Sequence, residues 1–176
     1  MTASIETYSG RYFDFRRPKA ADVDISDVAV ALSNTVRFGG HVNRFYSVAE
    51  HAVLVSRLVL PQFAYAALHH DDHEAYLGDI PSPLKRLLGR KYRRLARRVD
   101  FAICDAFMID ASFLHAPEVR AADALALRIE AAALKPSKGL GPHWGQTELP
   151  ITVDIRGLEP IRAESAFMAR HWELAP

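Results

Sequence analysis

The chain has a single cysteine, Cys104, among its 176 residues, so no disulfide can form within it. A chain without disulfides is typical of a reducing compartment. Ile103 and Phe107 lie close to Cys104 in the sequence, and we expect the thiol to pack with them as a core residue. The first residues lack the basic start and the apolar run of a signal peptide. The sequence therefore predicts a cytoplasmic protein.

The chain also lacks a long apolar run and an excess of one charge. No apolar stretch approaches the roughly 20 residues that a membrane-spanning helix needs, so we expect no membrane partner. Its 22 basic and 21 acidic residues leave a formal net charge of +1, which favours neither nucleic acid nor an anionic surface. Apolar residues make up 49% of the chain, and its length suits one globular domain. We predict a single domain over residues 1–176.

Helical periodicity dominates the pattern of apolar residues, and we predict an all-α fold. We expect Ser26 to cap the first helix, Pro61 to stop the second and Gly78 to end the third. The predicted helices cover residues 27–32, 47–60, 62–77, a short segment from 84, 91–107, 117–134 and 159–173.

Two parts of the chain do not follow the helical period. The first 24 residues are predicted to form an extended or turn-rich arm, anchored by Tyr12, Phe13 and Phe15. Residues 149–155 alternate enough for a short strand or an extended segment at most, with its apolar side chains sharing one side. These side chains are Ile151, Val153 and Ile155.

Four polar residues stand in apolar helical surroundings. They are His51, His70, Asp71 and Asp123. Burying even a neutral polar group without a partner costs roughly 2–7 kcal/mol, and one shared divalent cation would remove that cost for all four. A lone histidine is more often a hydrogen-bonded core or surface residue, and Asp123 could instead pair with Arg120 or Arg128. Without a metal, each of the four residues needs its own separate explanation, whereas one cation explains them together. The sequence therefore favours a metal site.

Glu74 lies four residues after His70 and three after Asp71, which places all three on one side of a continuous helix. A carboxylate beside a metal, yet not needed as a ligand, could take a proton from water. His69 would point about 100° away from His70, so we expect packing or solvent contact there.

The order of these residues resembles that of the HD-domain metal-dependent phosphohydrolases, which have the pattern H…HD…D. The run from His70 to Lys85 is similar to the pattern H-D-x-x-E-x-x-x-G-D-[LI]-P-[ST]-P-x-K of the bacterial 5'-deoxynucleotidases. It also resembles the phage deoxyadenosine triphosphate triphosphohydrolases. The resemblance covers about residues 35–135. It implies an HD-domain helical bundle with a single metal site between helices.

The resemblance also implies roles for individual residues. The ligands of one divalent ion (Co²⁺, Mn²⁺, Zn²⁺ or Fe²⁺, with Mg²⁺ a further alternative) would be His51, His70, Asp71 and Asp123. Glu74 would activate or orient the attacking water, and Asp79 would assist at the scissile phosphate or through a metal-bound water. In these families an arginine and an aromatic residue precede the first ligand histidine by about a dozen residues. Arg37 and Phe38 stand at that place and are candidate substrate contacts. From their positions in the sequence, His41, on a loop near Arg37, could contact a phosphate or be structural, and Lys85, after Pro83, could contact a phosphate from the rim.

These roles imply an enzyme that cleaves the 5'-phosphate ester of (deoxy)nucleotides and releases the nucleoside. It would be a triphosphohydrolase of the dATP type or a 5'-deoxynucleotidase, with a small-molecule nucleotide as substrate. By analogy with relatives, a homo-oligomer is expected. The alternative is a non-catalytic nucleotide or nucleic-acid binding module on an HD scaffold.

A basic run of eight cations, with no acid among them, extends from Lys85 to Arg98. Such a run could attract a polyphosphate or nucleic acid, or it could be a solvated helix face. Beyond Tyr92 the run contains no aromatic residue that could stack on bases. We therefore favour the solvated face and do not expect nucleic acid as a partner.

Overall fold

The computed structural model describes residues 3–140, 149, 151 and 153–176. Two short antiparallel strands, β1 (Ser4–Glu6) and β2 (Tyr12–Asp14), come first. The described helices are α1 (Ile25–Asn34), α2 (Val48–Arg57), α3 (Pro61–Leu68), α4 (Glu74–Leu77), α5 (Ser82–Ala106), α6 (Ala111–Leu114), α7 (Pro117–Leu134) and α8 (Pro160–Leu174). Short 3-10 turns cover Ala20–Asp22 and Arg37–Gly40. The protein is mostly helical, as the periodicity predicts.

The N-terminal arm is a β-hairpin, which the sequence did not predict. Ser4 pairs with Asp14 in its register, and Phe13 points into the core, where its ring stacks on Tyr76 at 3.8 Å between centroids. Phe15 is partly buried beside it. Successive side chains on a strand face opposite sides, so Tyr12 is exposed and its predicted anchoring role is wrong.

Helix α1 begins at Ile25, two residues before the predicted start. Asp24 is its N-cap, and one carboxylate oxygen accepts a hydrogen bond from the backbone N–H of Ser26 at 2.9 Å. The predicted cap at Ser26 is therefore wrong, because the helix already begins at Ile25 and Ser26 lies within its first turn.

Helix α2 is the central helix of the fold. Ser47 and Glu50 form a reciprocal capping box at its start, and it packs against α1, α3, α7 and α8. It ends at Arg57, before the predicted end at residue 60. Pro61 does not stop it but occupies the first position of α3, where a missing N–H costs nothing.

The helix predicted over residues 62–77 is broken in the middle. Helix α3 ends at Leu68, a turn follows over residues 69–73, and α4 begins at Glu74. Within the turn the backbone bonds tighten to the three-residue spacing, as between the N–H of Asp72 and the carbonyl of His69. Gly78 ends α4 with a positive φ of 76°, as predicted. His70 and Asp71 thus lie on a turn rather than within a helix.

The two helices predicted around residues 84 and 91–107 are joined as α5. Gly89, with φ 62° and ψ −135°, interrupts the helical geometry between them. Helix α7 has the predicted bounds, and α8 lies one residue further along than predicted. Helix α6 was not predicted.

Residues 149–155 contain no strand among the residues that the structure describes, and Pro150 and Thr152 lie outside these. Ile155 is buried and Val153 partly buried, whereas Ile151 is exposed. The three side chains therefore do not share one buried side.

Two hydrophobic clusters meet at α2. One joins it to α1, α8 and the hairpin, and the other joins it to α3 and α7. Cys104 is buried, as predicted. In the described part of the chain, no helix is both long enough and apolar enough to cross a bilayer.

We expect the substitution Ser47→Ala to lower the free energy of unfolding by about 1 kcal/mol, because it removes the side-chain acceptor that caps α2. Urea denaturation measures the loss. Ser165→Ala is the control, because this exposed serine in α8 bonds only the carbonyl of Ile161 one turn earlier. A loss no larger than that of the control would contradict the capping role.

Candidate metal centre

His51 is fully buried on α2, with 0% of its surface exposed. Its Nδ1 lies 2.6 Å from Oε1 of Glu130, so Nδ1–H donates to that carboxylate. In the neutral tautomer Nε2 then carries a lone pair. This atom lies 3.2 Å from Oδ1 of Asp123 and 3.6 Å from Oδ2 of Asp71.

His70 is fixed in a similar way on the turn after α3. Its Nδ1 lies 2.8 Å from the carbonyl oxygen of Ala67 and donates to it. Its Nε2 lies 3.2 Å from Oδ2 of Asp71 and 3.9 Å from Oδ1 of Asp123. Both histidines thus present Nε2 to the same two carboxylates.

The four predicted ligands therefore converge. One atom from each lies within 4.8 Å of the others, so the set could hold a metal ion. The Nε2 atoms of His51 and His70 are buried, and within the described residues neither makes a hydrogen bond. A lone pair facing a carboxylate oxygen is repulsive unless a cation lies between them. The donor set of two nitrogens and two oxygens therefore fits a divalent cation.

The ionisation states of these residues depend strongly on one another. Burial lowers the pKa of His70, but the adjacent Asp71 and Asp123 outweigh it and hold that pKa well above its ordinary value. Burial raises the pKa of Asp123, but its contacts with His51 and His70 reverse this and hold it well below its usual range. The carboxylates thus stay ionised and attract positive charge.

The burial of the four ligands is uneven. The side chain of Asp71 is mostly buried, but that of Asp123 is 44% exposed. The sequence analysis assumed that all four residues are buried. This is wrong for Asp123, whose side chain lies at the surface of α7. The ligands come from two helices and one turn. The centre is therefore open to solvent on the Asp123 side.

Glu130 is the residue of this centre that the sequence analysis missed. It is fully buried on α7, where its carboxylate accepts from Nδ1 of His51, from Nε of Arg37 at 3.1 Å and from the hydroxyl of Tyr46 at 3.1 Å. It follows Asp123 by seven residues, or two helical turns, so both lie on the same side of the helix. The sequence could have indicated Glu130, because it is an acid in an apolar stretch that lies two helical turns after the predicted ligand Asp123.

Arg37 lies inside the site rather than at its rim. Its guanidinium is buried, and it pairs with Glu130 and approaches Oδ2 of Asp71 at 3.8 Å. Phe38 has a positive φ of 59°, and its backbone N–H donates to Asp79 at 3.1 Å. The Asp79 carboxylate thus holds the loop that carries Arg37.

Glu74 is buried next to the ligands. Oε1 is 2.6 Å from Nζ of Lys85, whereas Oε2 is buried with no hydrogen bond to a described residue. Burial, and then the negative charge of Asp71, raises the pKa of Glu74 to about 7. Asp71, His73 and Glu74 form a second group whose ligand atoms lie within 4.8 Å of one another. The second group shares Asp71 with the four candidate ligands, so Glu74 lies close to them.

His41 is the predicted contact that the structure does not bring to the centre. Its side chain is exposed, and its backbone carbonyl accepts from Nζ of Lys135 at 2.8 Å. Among the described residues, no contact joins its ring to the four ligands.

A second buried network holds the turn that carries His70 and Asp71. Nδ1 of His69 donates to Oδ2 of Asp72 at 2.6 Å, and Nε2 of His69 accepts from Nδ1 of His171 at 3.0 Å. All three side chains are buried. Of the two alternatives expected for His69, packing and solvent contact, the structure shows packing, and its partner on α8 was not predicted. The network ties α8 to the residues that flank both ligands.

Fold and site together define a mostly helical protein with a candidate divalent-metal centre. No protein-family model matches the chain. It is 40% identical to the uncharacterized protein YfdR of Escherichia coli (strain K12), over 97% of this chain and 95% of YfdR. It is 33% identical to the uncharacterized protein RCAP_rcc00048 of Rhodobacter capsulatus, over 93% of this chain and 91% of that protein. The chain belongs to the same family as these two proteins.

We expect Glu130→Gln to weaken Co²⁺ binding by about 10- to 100-fold, because the neutral amide orients the His51 ring less strongly and lowers its basicity. Titration with Co²⁺, followed by visible absorption, measures the affinity. The control is Glu118→Gln, a change at an exposed acid on the same helix. Equal affinities for the two variants would contradict the role of Glu130.

We expect His171→Leu to lower the free energy of unfolding by about 1–3 kcal/mol, because it leaves the buried Nε2 of His69 without a donor. His171→Asn keeps a donor and should lose less. Thermal or urea unfolding measures both variants. A leucine variant as stable as the asparagine variant would contradict the hydrogen bond.

Burial and the neighbouring His69 lower the pKa of His171 from 6.5 to about 4. Between these values the unfolded chain binds a proton at His171 that the folded chain does not. His171 therefore costs stability as the pH falls below about 6.5. The stability advantage of the wild type over His171→Asn should thus shrink between pH 7 and pH 5.

Proposed function

We propose that the protein is an HD-type metal-dependent phosphohydrolase that cleaves the 5'-phosphate ester of deoxynucleotides. The observation that carries the proposal is the convergence of two buried imidazole Nε2 atoms, each without a hydrogen bond to a described residue, on the carboxylates of Asp71 and Asp123. The HD-type order of these residues along the chain supports it.

The residues that would hold the metal are His51, His70, Asp71 and Asp123. Mixed nitrogen and oxygen donors suit Co²⁺, Mn²⁺, Fe²⁺ or Zn²⁺. Such an ion acts as a Lewis acid toward a phosphoryl oxygen and toward the attacking water. The exposed side of Asp123 leaves room for substrate and water to enter.

Glu74 is the proposed general base. Lys85 engages one of its oxygens, which leaves Oε2 to take a proton from the attacking water. The protein's own groups give Glu74 a pKa of about 7, and a bound cation would lower it and so favour the ionised carboxylate that a base requires. The water oxygen bonds to phosphorus, the bond from phosphorus to the 5' oxygen breaks, and that oxygen takes up a proton as the nucleoside leaves.

Asp79 and Arg37 have positioning roles in this proposal. Asp79 holds the backbone of Phe38, and Arg37 neutralises part of the charge of Glu130 and Asp71. Arg37 would also present positive charge to a phosphate near Asp71.

Attack at the phosphorus next to the 5' oxygen releases phosphate from a monophosphate and triphosphate from a triphosphate. One site can thus serve a 5'-deoxynucleotidase or a triphosphohydrolase of the dATP type. The purified protein is incubated with deoxynucleoside mono- and triphosphates and with Co²⁺, Mn²⁺, Zn²⁺, Fe²⁺ or Mg²⁺. We expect chromatography to detect free nucleoside for at least one combination of nucleotide and metal ion.

A second candidate function is a non-catalytic module on an HD scaffold, which binds nucleotides and does not hydrolyse them. The 2.6 Å ion pair with Lys85 favours it, because this contact competes with the use of Glu74 as a base. Nucleotide binding measured by calorimetry, without product from any metal, would favour this module and contradict the enzyme.

Two substitutions separate metal binding from catalysis. Asp71→Ala should lose both the metal and hydrolysis, because it removes the carboxylate that faces both Nε2 atoms. Glu74→Gln should keep the metal and lose about 10²- to 10⁴-fold in kcat, because it removes the base. Elemental analysis and nucleoside release measure the two effects, with Glu118→Gln as the control. Near-normal kcat in Glu74→Gln would contradict the assigned role.

A further inference from the structure

The part of α5 that follows the break at Gly89 carries six cations on its surface, which we call the cationic face. It consists of Arg90, Lys91, Arg93, Arg94, Arg97 and Arg98, all exposed. The buried side of the same segment contains Ala96, Val99 and Ile103. The cationic face therefore points away from the core.

The cationic face lacks ion pairs within the described part of the chain. None of its six side chains forms an ion pair with a described acid, although several lie three or four residues apart, where like charges repel across a helix turn. The whole chain carries a formal charge of only +1, so the rest of it is net acidic. The positive charge is thus concentrated on one surface, at a cost to the helix that an external anion would relieve.

The face forms a shallow depression of about 960 Å³ that also contains Phe101. This ring is 57% exposed and follows Arg97 by one helical turn. It lies beyond the basic run that ends at Arg98. The run from Lys85 to Arg98 contains no aromatic residue beyond Tyr92 for stacking on bases, and Phe101 supplies an exposed ring just after the run.

The cationic face is separate from the candidate metal centre. Asp100, on the buried side of α5, lies 3.1 Å from Nδ1 of His73. Lys85 precedes the break at Gly89 and contacts Glu74. The contacts of α5 with the metal centre thus come from its other side and its first turns.

We propose that the cationic face binds single-stranded nucleic acid, with the arginines on backbone phosphates and Phe101 stacked on a base. Arginine binds phosphate oxygens in two-point contacts, and five of the six cations are arginines. They extend over about 12 Å of helix, which suits several successive phosphates better than one free nucleotide. An unpaired base offers its flat surface to Phe101, whereas bases inside a duplex are already stacked. A membrane is disfavoured because Phe101 is the one apolar residue in the lining of the depression, so little apolar surface is available for insertion.

The test measures binding of a short fluorescein-labelled oligodeoxythymidine without a 5'-phosphate, by fluorescence anisotropy in EDTA. The full chain is used, and EDTA keeps the metal centre and hydrolysis out of the measurement. We compare the wild type with the triple variant Arg90→Ala, Arg94→Ala and Arg97→Ala. The matched control removes three exposed cations elsewhere, with Arg16→Ala, Arg17→Ala and Lys19→Ala.

We expect the wild type to bind at low salt, with an affinity that falls steeply as salt rises. The triple variant should bind at least tenfold more weakly, and the slope of log K against log[salt] should decrease in magnitude by about 2, because three phosphate contacts are lost. The control variant should behave as the wild type. Phe101→Ala should weaken binding about tenfold with an unchanged salt slope, whereas Phe101→Tyr should keep the affinity.

Three outcomes would overturn the proposal. The first is no binding of the oligonucleotide at low salt, and the second is an equal loss of affinity in the triple variant and its control. The third is that the triple variant changes only self-association in light scattering or only binding to phosphatidylserine vesicles. None of these results depends on hydrolysis, so they leave the proposed function untouched.

Discussion

The hydrogen bond between Nδ1 of His51 and Glu130 is the contact on which the candidate centre depends. It turns Nε2 toward Asp71 and Asp123 and fixes which nitrogen carries the proton. A carboxylate as deeply buried as Glu130 is tolerated only with several donors. Arg37 and Tyr46 supply the others. One buried acid thus joins α2, α7 and the loop before α2, and it orients a candidate ligand.

The balance of charge at the centre would favour a bound cation. Two basic side chains, Arg37 and Lys85, lie among four carboxylates, which are Asp71, Glu74, Asp123 and Glu130. The imidazoles of His51 and His70 can add positive charge only by taking up protons. Burial opposes this, but the neighbouring carboxylates outweigh burial and raise the pKa of both rings. A divalent ion would balance the excess and would leave both rings neutral, as metal ligands must be.

Sequence reasoning singled out the four candidate ligands because they are polar residues in apolar helical surroundings, and Glu74 because of its spacing from His70 and Asp71. It gave the bounds of α7 because Pro117 marks the start of that helix and a stretch rich in proline and glycine follows it. It did not find the break at residues 69–73, because no glycine or proline marks it and the turn is stabilised by contacts such as that of His70 with the Ala67 carbonyl. The partnership of His69 with His171 joins residues far apart in the chain, so no local pattern indicates it.

The ionisation of Glu74 is coupled to the occupancy of the centre. Burial and the charge of Asp71 both favour the protonated acid, whereas the ammonium group of Lys85 favours the carboxylate. A cation shared by the four ligands would offset the charge of Asp71 and weaken its repulsion of Glu74. The pKa of Glu74 would then fall, so the base would become ionised when the metal is present. Lys85, which limits the freedom of Glu74, also keeps this buried carboxylate from becoming a permanently protonated acid.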